Sequence, residues 1–174
     1  MAFWSDRSLE PKRSYRWILR LGAVPEWIIK KVDKPSFTVS ESPHKFLNYT
    51  FYYPGKVEWN TLAVTLVDPI TPDASFTMMR ILEASGYKLP TNPNELETIS
   101  KEKSTTALGN VRIEQIGTSG EVIEAWELRN AWITQVNFGN LDYDSEELVN
   151  IELTLRYDYA EMTNHGIPVE IDGA

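Results

Sequence analysis

Only two histidines occur in the chain. His44 stands beside Pro43 in a segment that reads as a loop, and His165 lies in the C-terminal segment. Neither has the spacing of a nucleophile–base pair or of metal ligands. The lack of cysteine excludes disulfides, thiolate zinc sites and cysteine nucleophiles together. Clustered oxygens bind hard cations, and Asp142-Tyr143-Asp144-Ser145-Glu146-Glu147 superficially offers them. That run lacks the glycine and the ligand spacing of an EF-hand loop and reads as a solvated turn. Glu121, Glu124 and Glu127 fall in a strand pattern with no partner acid in view. Gly117-Thr118-Ser119-Gly120 contains no lysine and leads into a strand, so it reads as a hairpin turn rather than a phosphate loop. The groups capable of chemistry do not converge, and the sequence predicts no catalytic residue, cofactor or metal.

What remains is a scaffold. With 174 residues and 20.0 kDa the chain suits one domain, and a chain of this size buries roughly 70% of its unfolded surface. Its 42% hydrophobic and 24% charged content argues against wholesale disorder. The formal charge of −8 disfavours gripping nucleic acid, because phosphate binding relies on Lys and Arg. It is compatible with a protein that lets DNA pass without holding it. No run approaches the ~20 apolar residues of a membrane helix. Met1-Ala2-Phe3-Trp4-Ser5-Asp6-Arg7 has no apolar core of signal-peptide length, and assembly in a reducing cytoplasm is expected.

Period-two alternation dominates the chain. Val149, Ile151, Leu153, Leu155, Tyr157 and Tyr159 share one parity, and Asn150, Glu152, Thr154, Arg156 and Asp158 the other. Successive strand side chains point to opposite faces, so this predicts one long strand with a buried face and a wet one. Similar patterns predict strands over 14–21, 27–32, 37–39, 46–53, 58–67, 110–116 and 121–129. Breaks are expected at Ser42-Pro43 and at Pro54-Gly55, and Tyr53-Pro54-Gly55-Lys56 is expected as the tip of a long hairpin. One helix is predicted over 71–85, with Thr71 as N-cap, Pro72 at the first helical position and Gly86 closing it. Phe76, Met79 and Ile81-Leu82 form its apolar stripe, and the Met78-Met79 pair reads as core in preference to a ligand groove. Residues 90–106 read as an exposed loop. The expected fold is mainly β: an antiparallel β-sandwich or barrel of about eight strands with one flanking α-helix. The expected organisation is a flexible arm over 1–13, a β domain over 14–161 and a tail over 162–174. Phe3 and Trp4 could dock the arm on a neighbour, against the plainer reading of a disordered end.

Two segments carry a family resemblance. Trp132-Ile133-Thr134, Leu141-Asp142-Tyr143-Asp144-Ser145 and Thr154-Leu155-Arg156-Tyr157-Asp158-Tyr159 follow one another in that order. Upstream, Lys56-Val57-Glu58-Trp59-Asn60-Thr61-Leu62-Ala63-Val64-Thr65-Leu66 precedes the capped helix. Together they resemble the tail tube proteins of contractile-tailed bacteriophages, whose fold is shared with type VI secretion tube proteins. The resemblance spans roughly residues 14–161; the first 13 residues and the tail do not match it.

The resemblance implies a structural virion protein that closes into hexameric rings, which stack into the hollow inner tube of a contractile tail and conduct DNA at ejection. It implies as partners the chain itself, the tail sheath protein, and the baseplate tube-initiator and tail terminator proteins. Tape measure protein and DNA would pass through the lumen. The expected location is the virion, after assembly in the host cytoplasm. Phe46, Leu47, Phe51, Tyr53 and Lys56 are the ring-stacking candidates. Asn150, Glu152, Thr154, Arg156 and Asp158, with Glu114 and Glu124 on the preceding hairpin, are the lumen-facing candidates. Alternation assigns the strand residues to a wet face, which is either the channel side or the sheath side; the acidic excess favours the channel. Alternatives are a baseplate-proximal or terminator subunit of the same fold, a secretion-system tube protein, a monomeric carbohydrate-binding sandwich, and a small barrel enzyme or ligand carrier.

Overall fold

The computed structural model describes residues 5–91 and 94–169; Phe3 and Trp4 of the expected arm lie outside them. The chain is mainly β and antiparallel throughout, as its alternation predicts. The strands are β1 (Trp17–Leu21), β2 (Ile29–Val32), β3 (Phe37–Phe46), β4 (Tyr49–Trp59), β5 (Leu62–Val67), β6 (Val111–Ile116), β7 (Val122–Arg129), β8 (Trp132–Asn137), β9 (Asn150–Arg156), β10 (Tyr159–Asn164) and β11 (Ile167–Pro168). Two helices, α1 (Ala74–Ala84) and α2 (Lys101–Leu108), lie between β5 and β6.

One sheet runs β1-β6-β7-β10-β11, a second β2-β5-β9-β8, and β3 pairs only with β4. The first two sheets face each other across the core. Leu19, Leu21, Val111, Ile113 and Leu128 come from the five-stranded sheet; Leu62, Val64, Leu66, Ile151, Leu153 and Leu155 come from the four-stranded one. Ala74 and Met78 of α1 and Leu108 of α2 complete the cluster.

Several expected strands change sheet partway, which alternation cannot reveal because it fixes a face and not a partner. The expected 149–159 strand divides at Tyr157-Asp158: β9 belongs to the four-stranded sheet and β10 to the five-stranded one. The expected 58–67 strand divides at Asn60, which donates its backbone N–H to the Ser36 carbonyl (2.9 Å) and its side-chain amide to Ser36 Oγ (3.1 Å). β1 and β2, expected as strand and returning strand, sit in different sheets. β10 also crosses the expected boundary into the tail at residue 162, and β11 lies within that tail.

The helices differ from expectation too. α1 starts at Ala74, with Asp73 rather than Thr71 as N-cap accepting Phe76 N–H at 2.9 Å. Asp68 adds a second carboxylate at the same end, accepting from Ala74 N–H (3.1 Å) and Ser75 N–H (3.3 Å). α2 occupies part of the expected loop. It is capped by Ser100, which accepts Lys103 N–H at 3.2 Å, and closed by Gly109 at φ 78°. Its sequence, KEKSTTAL, has no apolar stripe, so hydrophobic periodicity passes over it.

Candidate assembly surfaces

The β3–β4 hairpin is the most unusual surface. Its strands pair along almost their whole length, yet every residue is exposed except Trp59. The tip is Leu47-Asn48, between the paired Phe46 and Tyr49, and not residues 53–56 as the Pro54-Gly55 pair suggested. Pro54-Gly55 sits inside β4. A proline is tolerated on such an edge because no neighbour needs its N–H. Gly55 and Lys56 together face Ser40 in a bulge, where the register changes between Val39↔Val57 and Glu41↔Pro54. Ser40 Oγ accepts Lys56 N–H at 2.9 Å, and a Cβ on Gly55 would stand 2.2 Å from that oxygen. The bulge therefore needs glycine there. Pro43 and His44, expected in a loop, also lie within β3. The ring-stacking candidates Phe46, Leu47, Phe51, Tyr53 and Lys56 all fall on this hairpin.

The outward face of the four-stranded sheet carries Ala63, Thr65, Gln135, Asn137, Asn150, Glu152, Thr154 and Arg156 by its cross-strand pairing. Glu152 and Arg156 are exposed, and Asn150 and Thr154 half-buried. β2 and β8 are the end strands of this sheet. Four of the lumen-facing candidates thus share one wet face.

The other three do not. Asp158 lies at the crossing between β9 and β10, where it accepts from Lys101 Nζ (2.7 Å) and Asn130 Nδ2 (2.8 Å). Those bonds, the lysine's foremost, hold its carboxyl below the usual carboxylate range. Glu114 and Glu124 are buried, contrary to their expected place on a wet face. Glu114 accepts from Arg112 Nε (2.8 Å) and Arg20 Nε (3.4 Å). Glu124 accepts from Lys12 Nζ, Lys34 Nζ (2.8 Å) and the Trp126 indole N–H (2.5 Å). Burial pushes the Glu124 carboxyl up, but the donors outweigh it and hold it down to about 2. Glu124 thereby ties the N-terminal segment and the 33–36 connection to β7. No sequence signal pointed to this cluster, because its members lie 90 and 112 positions apart.

Beside β8 lies an apolar groove of about 380 Å³, lined by Met79, Ile81, Leu82, Ile99, Trp132, Val136 and Phe138 among others. The Met pair divides here: Met78 is core, while Met79 is exposed, as are Phe76 and Leu82. The expected helical stripe is therefore an outward ridge. The acidic turn carries exposed Leu141, Tyr143 and Leu148. Among the described residues no three His, Asp or Glu side chains gather as a metal site, and none of the helices is long and apolar enough to cross a membrane.

No protein-family model and no curated protein matches the sequence. Solved structures do match. A chain in the cryo-EM structure of the anti-feeding prophage cap, the tube-terminating cap, is 19% identical with a TM-score of 0.68, over 94% of this chain and 99% of that one. A chain of the anti-feeding prophage baseplate is 16% identical with a TM-score of 0.65, over 91% and 99%. A chain of the sheath-tube complex of the PVC extracellular contractile injection system is 18% identical with a TM-score of 0.61, over 88% and 92%. The fold is tail-tube-like, the fold that the sequence resemblance implied.

Proposed function

We propose that the protein is a structural subunit of a contractile tail or injection machine, closing with copies of itself into hexameric rings that stack into the inner tube. The single observation that carries this reading is the hairpin. A two-stranded ribbon is marginal in water on its own, and here Phe37, Phe46, Tyr49, Phe51, Tyr52 and Tyr53 are each at least half exposed. Such a surface is expected to be covered in the working state. Phe51 and Tyr53 then contact the next ring. The free ends of the four-stranded sheet support ring closure: pairing β2 of one copy with β8 of the next runs one sheet around the ring and leaves no edge. Closure of that sheet turns its Asn150–Glu152–Thr154–Arg156 face to the channel, where a net-acidic chain does not retain DNA or tape measure protein. Sheath, initiator and terminator proteins are the expected outer and axial partners.

A second reading is a ring that caps the tube, favoured by the match to a chain of a tube-terminating cap structure. Negative-stain microscopy of the purified chain separates the two. Tubes that lengthen with concentration fit the tube subunit; single rings fit the cap; small featureless particles reject both.

A further inference from the structure

Glu124 is neutralised twice over. It has the parity of Trp126 and Leu128 in β7, so its side chain points between the two sheets, next to the buried Gln115 of β6. A carboxylate in that position needs a cation, because a buried charge left without a partner strongly destabilises a fold. One lysine answers the charge, and two are present. Lys12 Nζ donates to Oε2; Lys34 Nζ donates to Oε1, where the Trp126 indole N–H also donates. Both lysine side chains are about half exposed, whereas that of Glu124 is 4% exposed.

The two lysines hold different things. Lys34 belongs to a connection fastened on both sides: Asp33 donates its N–H to the Ala63 carbonyl at 3.1 Å, and the Ser36 carbonyl accepts the Asn60 N–H at 2.9 Å. Lys12 belongs to a segment that rests on the surface. Every residue from 7 to 15 is exposed, Leu9 and Tyr15 included, so this segment brings no apolar side chain to the core. Polar contacts tie it to β6 instead. The Arg13 carbonyl accepts from Gln115 Nε2 at 3.0 Å, and the Arg16 carbonyl accepts the Ile116 N–H at 3.1 Å. A crevice of about 120 Å³ lies between the segment and the β6–β7 turn. A segment with so little apolar contact opens more readily than the core beneath it.

We propose that residues 10–16 form a releasable strap, and that opening it transfers Glu124 to Lys34 alone and tightens the 33–36 connection. The device belongs to the single subunit and stands whether or not the chain builds a tube. Opening is possible because Lys34 and Trp126 keep the carboxylate paired after Lys12 leaves. The sign of the coupling follows from charge. Two ammonium groups on one carboxylate repel each other, so each weakens the hold of the other. Departure of Lys12 removes that repulsion, and the strap loosens as the connection firms. Gln115 favours the same change: its Oε1 is buried without a hydrogen-bond partner among the described residues, and opening the strap uncovers it.

Hydrogen exchange on the full chain tests this coupling. In Lys12→Met the Arg16 and Ile116 amides should exchange at least about tenfold faster than in the parent, as expected of a local opening. The Asn60 amide, which reports on the 33–36 connection, should exchange more slowly. In Lys34→Met the pattern should reverse, with the strap amides slowed and Asn60 quickened. Both substitutions together leave Glu124 without either lysine, so the thermal midpoint should fall by more than the sum of the two single losses. Should the double variant fail to fold, the exchange rates of the two single variants decide. An Asn60 amide that quickens or stays unchanged in Lys12→Met overturns the coupling, as does a double loss equal to the sum. Strap amides that exchange in the parent only when the core does would overturn the releasable strap itself.

Discussion

The sandwich and the hairpin use the same residue types to opposite ends. In β9, Ile151, Leu153 and Leu155 alternate with polar neighbours and are at most 1% exposed, because a second sheet covers them. In β4, Tyr49, Phe51 and Tyr53 alternate in the same way, and nothing among the described residues covers them. The ribbon is held along its length by its ladder, and the contacts that tie it to the domain lie at its root, among them the Phe37–Trp59 and Trp59–Tyr157 ring contacts at 5.4 and 6.1 Å. Alternation reports that a strand has two kinds of face; it does not report where the covering layer comes from. Where one chain supplies both layers the result is a core; along β4 it supplies one, and the rings stay exposed.

The sharpest way to break this comparison is to truncate one residue on each side of it. Leu153→Ala should cost about 2.7–5 kcal/mol of unfolding free energy, the range for a buried leucine whose cavity does not collapse. Val57→Ala should cost under about 0.5 kcal/mol in the isolated subunit, the range for surface changes. Urea unfolding of both variants measures the contrast. Equal losses would mean that the hairpin belongs to the same cooperative unit as the sandwich.

Glu124 stands between the two regions, since Lys34 lies at the hairpin's root and Lys12 in the N-terminal segment. Glu124→Gln removes the charge but keeps the shape, and should cost about 1.5–3 kcal/mol, the range for hydrogen bonds to charged groups. The pH profile gives the sign. Folding lowers this carboxyl from 4.5 to about 2, so its contribution is present above the unfolded value and is lost as pH falls towards about 2. Over that window the parent should lose stability that Glu124→Gln never had, narrowing the gap between them. A gap constant from pH 6 to pH 2 would remove Glu124 as the latch.

Much of this division was open to sequence reading and some was not. The β6–β7 turn, the buried parity of β9 and the antiparallel class follow from local chemistry: two glycines between alternating runs, and side chains two apart. The strand crossings at Asn60 and Asp158 depend on Ser36, Lys101 and Asn130, remote partners that no local pattern names. The same holds for Glu124, whose burial depends on two lysines from other segments. Pro54-Gly55 is a different failure. Proline and glycine mark both turns and bulged edges, and only the pairing of Ser40 decides between them. α2 was legible in part, since Ser100 and Gly109 bracket it, but a helix without an apolar stripe gives periodicity nothing to detect.

Glu152 tests the sheet face without touching the core. Glu152→Lys should change subunit stability by less than about 0.5 kcal/mol, because the side chain is exposed. Tubes should still form, and on the channel reading delivery through them should slow, since a ring of lysines holds a polyanion. Unchanged delivery together with lost sheath attachment would turn this face outward.

The smallest expected effect sits at the hairpin tip. Among the described residues, three other than glycine have positive φ: Leu47 at 53°, Asn130 at 54° and His165 at 48°. Asn and His are among the types that tolerate this region, whereas a branched apolar side chain is disfavoured there by about 1–2 kcal/mol. Leu47 is also 85% exposed, so burial within the subunit does not hold it in place. A side chain kept against both backbone preference and solvent fits the ring-stacking role proposed for the hairpin. Leu47→Gly should therefore slow hydrogen exchange in β3 and β4, by relieving the strained turn, while leaving the global unfolding midpoint unchanged. The same variant should shorten the tubes, because the apolar tip is gone. Leu47→Asn, which also accepts positive φ and also lacks the apolar side chain, repeats the test with a different residue: it should match glycine in exchange and in tube length alike. Tubes of parental length with either residue would show that Leu47 makes no contact between rings, and the stacking surface would then be confined to the aromatic residues behind it.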